Sequence, residues 1–151
     1  MRSSLFEPTE PAVCTYALVG ALAGALLGMQ TEATATVGGA PWVVAVTGGR
    51  QAADPAPVWA ALDGLPRRPA ALLHGGARGV DALAARWAAA RGVPCREFRA
   101  EWGRLGRGAG PYRNEQMLAE GPALLLAFHG GIGTANCVAA AHRRGIPVQY
   151  V

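Results

Sequence analysis

Three clusters of glycine, each placed just after a short apolar run, constrain this chain more than any other feature. WVVAVT (42–47) leads into Gly48-Gly49-Arg50. AALLH (70–74) leads into Gly75-Gly76-Ala77-Arg78-Gly79. PALLLAF (122–128) leads, after His129, into Gly130-Gly131-Ile132-Gly133-Thr134. Short continuous apolar runs read as strands buried on both faces. Each cluster also opens onto a helical pattern, and glycine there lets a backbone come close to another group.

The helices carry their own signals. Asp54-Pro55 reads as a cap and first turn for a helix through about residue 65, because Asp accepts orphan amide hydrogen bonds and proline suits the first turn. A second helix over residues 80–91 places Val80, Leu83, Ala84, Trp87 and Ala88 on one face, and Gly92 ends it. PCREFRA (94–100) reads as a third strand, followed by a glycine- and arginine-rich loop over 101–110. Pro111 opens a further helix, Thr134 is read as the cap of the next, and IPVQYV (146–151) is the last strand. Five short strands alternating with helices predict a Rossmann-like, doubly wound, parallel five-stranded α/β sheet over residues 42–151.

Residues 1–41 read differently, as a tail, an extra N-terminal apolar helix and a linker. Residues 12–29 form an uncharged apolar run with Gly20, Gly24 and Gly28 at four-residue spacing. A helix packed on the domain or on a partner is the reading taken here. Membrane attachment stays open, since small residues at that spacing favour close helix packing. A signal peptide, with Ala33 and Ala35 near a cleavage-like site, also stays open.

Composition narrows the function classes. Hydrophobic residues make up 51% of the 151 residues and charged residues 16%, which fits a packed domain and excludes disorder. The net charge of +4 is carried by arginine, because the chain has no lysine. Arginine suits bidentate contact with phosphate. No dense basic run of the nucleic-acid type occurs. Cys14, Cys95 and Cys137 are scattered and odd in number, so no disulfide framework or metal site is expected, and a reducing, cytoplasmic compartment is the simplest assumption. No cofactor motif is present: the loops match neither a Walker A loop nor a GxGxxG fingerprint.

In a parallel sheet all strand carboxyl ends lie on one edge, so the three glycine loops are expected to converge near the switch point of the sheet. Helix N-termini there offer free amides and a positive dipole end to an anion. The candidate ligand residues are Gly48, Gly49 and Arg50; Gly75, Gly76, Arg78 and Gly79; and Gly130, Gly131, Gly133 and Thr134. Asp81, in the first turn of the second helix, contacts a ligand ribose or base, or merely complements the helix dipole. Arg113 and Asn114, at the start of a helix, are candidates for the same pocket or a surface pair. Glu101-Trp102 offers a carboxylate and a stacking ring, or a core tryptophan. His74 and His129 precede glycine loops and read as structural.

VTGGR (46–50), HGGARGVDALAARWA (74–88), EW with GPYRNEQM (101–117) and FHGGIGTANCV (128–138) together resemble the SLOG superfamily, most closely its YspA, cpYpsA-related branch. The resemblance implies a Rossmann-like nucleotide-binding fold, with an anion site at the 75–79 and 130–134 loops helped by Arg113. Relatives include the Lonely Guy phosphoribohydrolases and the single-strand DNA-binding DprA proteins. One departure matters: the phosphoribohydrolase motif reads GGxGTxxE, and Cys137 stands where its catalytic Glu would be. A thiol is a poor stand-in for a carboxylate, so Glu115 or Glu101 would have to compensate. The expected function is binding of a nucleotide-derived small molecule as a sensor or carrier, with N-glycosidic cleavage of a nucleoside monophosphate as the alternative. DNA binding needs stacking platforms and a basic groove, against which the 7% aromatic content and absent lysine count. A homodimer is expected from the relatives and from the apolar N-terminal helix.

Overall fold

A computed structural model describes residues 41–151. The expected N-terminal helix, with its membrane and signal-peptide alternatives, lies outside the described residues. In chain order the elements are β1 (Val43–Thr47), α1 (Pro55–Asp63), β2 (Ala71–His74), α2 (Val80–Arg91), β3 (Cys95–Glu97), α3 (Trp102–Leu105), a 3-10 turn (Gly106–Gly108), α4 (Ala109–Ala119), β4 (Leu124–Ala127), α5 (Ile132–Arg143) and β5 (Val148–Tyr150). The sheet is parallel throughout, in the order β3-β2-β1-β4-β5. The chain runs outward from β1 through β2 to β3, then returns to β4 on the other side of β1. The switch point therefore lies between β1 and β4, as the doubly wound pattern requires.

Alternation along the strands makes two cores. Val44, Val46, Leu72 and Leu126 point to one face, where α1 and α2 cover them. Ala45, Leu73 and Leu125 point to the other, under Met117, Leu118 and Cys137 of α4 and α5. A fully buried leucine or valine in these layers contributes about 1.5–3 kcal/mol of transfer free energy. Among the described residues no helix is long and apolar enough to cross a membrane.

The local signals explain the helix ends. Asp54 accepts the Ala56 amide at 2.9 Å, and Pro55 fills the first position of α1. The expected inner face of α2 is buried, and Gly92 closes that helix in the left-handed conformation. Two expectations are corrected. The stretch over 101–110 is largely helical rather than a loop: Glu101 O accepts the amides of Arg104 and Leu105, and Gly106, at φ 51°, breaks the short helix before α4. Thr134 is not a cap, because α5 starts earlier, with Gly131 as its N-cap and no side chain capping it.

Candidate functional site

The loops after β1, β2 and β4 are built against one another. Gly49 N–H donates to His129 O at 2.9 Å, and Val80 N–H donates to Gly49 O at 3.1 Å. Gly48 faces Val80 and Phe128, and Gly130 faces the Thr134 hydroxyl. Gly79 shows why glycine is needed at this junction. Its φ is +77°, and a Cβ there would sit 2.2 Å from Gly49 O. The start of α2 is thereby seated on the β1 loop.

The β2 loop uses its amides internally. Asp81, 5% exposed, accepts from Gly75 N–H at 3.0 Å and from Ala77 N–H at 3.2 Å. His74 Nδ1 accepts from Gly76 N–H at 3.0 Å. An accepting Nδ1 carries no proton, so the neutral ring holds its proton on Nε2. Three successive amides of a predicted anion loop thus already have acceptors. Burial raises the Asp81 carboxyl above its ordinary value, opposed by the Ala77 and Gly75 hydrogen bonds and by the charges of His74 and Arg113. Burial lowers His74, opposed by Asp81 and Glu97 and reinforced by Arg113.

Arg113 of α4 holds the outer side of the same loop. Its guanidinium donates to Gly75 O, to Phe98 O at 3.2 Å and to the side-chain Oδ1 of Asn114 at 3.0 Å. Asn114, 4% exposed, donates in turn to Gly133 O at 3.3 Å, which ties α4 to the start of α5. Burial lowers the Arg113 pKa, with Asp81 opposing. At neutral pH the group stays charged.

A pH effect on folding follows from His74. Its folded pKa lies below the unfolded value of about 6.5. The unfolded chain therefore takes up the proton first, so this stability is present above pH 6.5 and is lost as pH falls toward the folded pKa. Asp81 runs the other way: its raised pKa gives stability that is fully present below the unfolded value and lost as pH rises through the folded one. Comparing variants separates the two. The His74→Gln variant is expected to lose less of its melting temperature than the wild type between pH 7.5 and 5.5. Equal slopes would show that the buried ring does not govern this range.

Two clefts flank the Gly49–Val80 junction. The first, of about 470 Å³, lies over the ends of β2 and β3. It receives Arg50 from the β1 loop, Arg78 from the β2 loop, Arg99 from beyond β3 and Arg113 from α4, with Glu97 as its one lining carboxylate and Trp102 as its one lining aromatic ring among the described residues. Glu97 pairs with Arg99 at 2.8 Å, and the Arg50 guanidinium lies 5.9 Å from the Trp102 ring centroid. The second cleft, of about 620 Å³, opens at the switch point among Val58, Val80, Phe128 and the glycines at 49, 130 and 131. Arg50 lines both.

The predicted residues thus divide. Arg50, Gly75, Gly76, Arg78 and Arg113 line the arginine cleft, while Gly49, Gly130 and Gly131 line the apolar one. Gly48, Gly79, Asp81, Asn114, Gly133 and Thr134 line neither. Glu97 and Arg99 were not singled out from the sequence. Their signal was position, at the carboxyl end of β3 on the same sheet edge as the glycine loops. Among the described residues no cluster of His, Cys, Asp or Glu could hold a metal ion.

A family model described as the YspA, cpYpsA-related SLOG family matches residues 42–105. The Gene 61 protein of Mycobacterium phage D29 is 42% identical over 115 residues, which cover 70% of this chain and 92% of that relative. The chain belongs to the YspA, cpYpsA-related SLOG family.

SLOG membership points to nucleotide-related function. The position of the phosphoribohydrolase Glu is closed in this SLOG domain. Cys137 is 0% exposed inside the α4–α5 core, and burial pushes its thiol up to about 11. Neither expected substitute lines either cleft. Glu115 is held by Arg143 at 2.6 Å and Arg144 at 3.0 Å, and Glu101 is paired with Arg104. The carboxylate within the arginine cleft is Glu97.

Proposed function

We propose that this SLOG domain binds a nucleotide or nucleotide-derived ligand by its phosphate in the arginine cleft, as a sensor or carrier. One observation carries the reading. Four arginines from four separate segments line one cleft of about 470 Å³, with a single lining carboxylate among the described residues. Bringing like charges together costs free energy unless an anion or a carboxylate answers them. Glu97 answers one, through Arg99. Asp81 partly answers Arg113, and a phosphate at the β2 loop answers Arg78 and Arg113 with charge-assisted hydrogen bonds. In this reading the β2 loop amides do not grip the anion, since Asp81 and His74 hold them. They fix the loop so that Arg78 and Arg113 converge.

A thermal-shift panel on the full-length chain tests this, pairing nucleotides with their unphosphorylated nucleosides and recovering each stabilising compound by chromatography. The phosphorylated members should raise the melting temperature and return intact, as a ligand at 100 times its Kd adds about 2.7 kcal/mol. Nucleosides that stabilise as well as their phosphates would sink the proposal. Arg78 is exposed. Arg78→Glu is therefore expected to weaken phosphate binding at least ~10-fold while changing stability by under about 0.5 kcal/mol.

The phosphoribohydrolase reading keeps one supporting observation, the presence of Glu97 among the arginines. Released base in the same chromatograms would favour it, and loss of that release in Glu97→Gln would assign the carboxylate.

A further inference from the structure

We infer that the ligand's end opposite the phosphate is a flat aromatic base, and that Trp102 stacks on it. The inference rests on the phosphate reading of the cleft and extends it to a second subsite. Trp102 is 51% exposed, at the first position of the four-residue α3. The half-exposed indole lines the cleft, so a ligand there can cover an apolar ring face and gain by its burial. The ring's neighbours are also specific. Gly110 brings the α4 backbone close to the indole edge: a Cβ on it would lie 3.3 Å from the ring. Arg50 stands 5.9 Å from the ring centroid, near the outer limit of a cation–π contact. Arg50 is exposed and its stem is flexible, so the guanidinium can swing off the indole and leave that face to a flat ring.

The direction of the ligand follows from the charges. Arg113 and Arg78 border the β2 loop, whereas Trp102 borders the cleft from beyond β3. A phosphate bound at the loop therefore leaves the rest of a nucleotide to run toward Trp102. Phosphates and free sugar phosphates have no face to stack. The site thus discriminates in favour of ring-bearing anions, and stacking does so with little preference among bases.

The test is calorimetric titration of the full-length chain, its Trp102→Ala variant and its Trp102→Phe variant with AMP and with ribose 5-phosphate. The wild type is expected to bind AMP at least ~10-fold more tightly than ribose 5-phosphate. Trp102→Ala should weaken AMP at least ~10-fold, leave ribose 5-phosphate within about 2-fold, and Trp102→Phe should restore most of the loss. Equal wild-type affinities for the two probes, or AMP binding unmoved in Trp102→Ala, would overturn the stacking subsite and leave the phosphate reading standing. Failure of both probes to bind the wild type at millimolar concentration would overturn the phosphate reading as well.

Discussion

Gly79→Ala is expected to destabilise the domain by about 3–5 kcal/mol, the largest effect of any single methyl added to these loops. Two costs combine. At φ +77° and ψ −128° an alanine is strained by about 1–3 kcal/mol. Its Cβ would also stand 2.2 Å from Gly49 O and 2.7 Å from the Arg50 carbonyl carbon. Both are backbone atoms, so no rotamer change relieves the contact. The β1 loop must move away from α2, with loss of the Val80 N–H to Gly49 O hydrogen bond. Since a domain of this kind is stable by about 5–15 kcal/mol, the melting temperature should fall by at least ~12 °C. Gly131→Ala is the control. That position has φ −92° and nothing within 4 Å of the added carbon, so it should change stability by under about 1 kcal/mol. A Gly79→Ala loss as small as that of the control would mean that the junction gives way freely.

The second large effect concerns the ligand. Arg113→Met is expected to lower affinity for a phosphate-bearing nucleotide by about 2 kcal/mol or more, roughly 30-fold. Methionine keeps much of the apolar stem and removes the fork. The Gly75 and Phe98 carbonyls lose their guanidinium donor, and a hydrogen bond to a charged group is worth about 1.5–3 kcal/mol. Some loss of melting temperature should therefore accompany the loss of binding. Arg113→Lys separates the two. It keeps the charge but not the planar geometry, so it should fall between wild type and Arg113→Met in calorimetric affinity. Wild-type affinity in a folded Arg113→Met protein would place the phosphate elsewhere.

Much of the fold could be read from the chain because its signals are local. Continuous apolar runs give buried strands, Asp54-Pro55 gives a cap, and Gly92 gives a left-handed helix end. The misreadings came where short-range pattern and long-range contact diverge. A stretch dense in glycine reads as a loop, yet α3 forms at 102–105 because the Glu101 carbonyl collects two amides. Thr134 has a capping side chain but falls one turn too late.

The candidate site was legible as a sheet edge and less so as a set of contacts. Periodicity brings the glycine loops to one edge but does not reveal that the β1–α2 junction parts them into two clefts. Nor does it reveal that Asp81 and His74 occupy the amides of the β2 loop, which needs the turn closed in three dimensions. Glu97 ends a three-residue strand between Arg96 and Phe98, so nothing in its neighbours marks it as a cleft residue. Arg113 was visible by motif. Its hold on Gly75, in contrast, spans 38 residues.

The most direct test of the central claim is a calorimetric comparison of four nucleoside monophosphates with their nucleosides, on the full-length wild type and on Arg113→Met, at one salt concentration. The arginine cleft predicts that a nucleotide binds the wild type at least ~30-fold more tightly than its nucleoside, and that Arg113→Met removes most of that difference. Equal affinities for nucleotide and nucleoside, or a phosphate preference that survives in Arg113→Met, would contradict it.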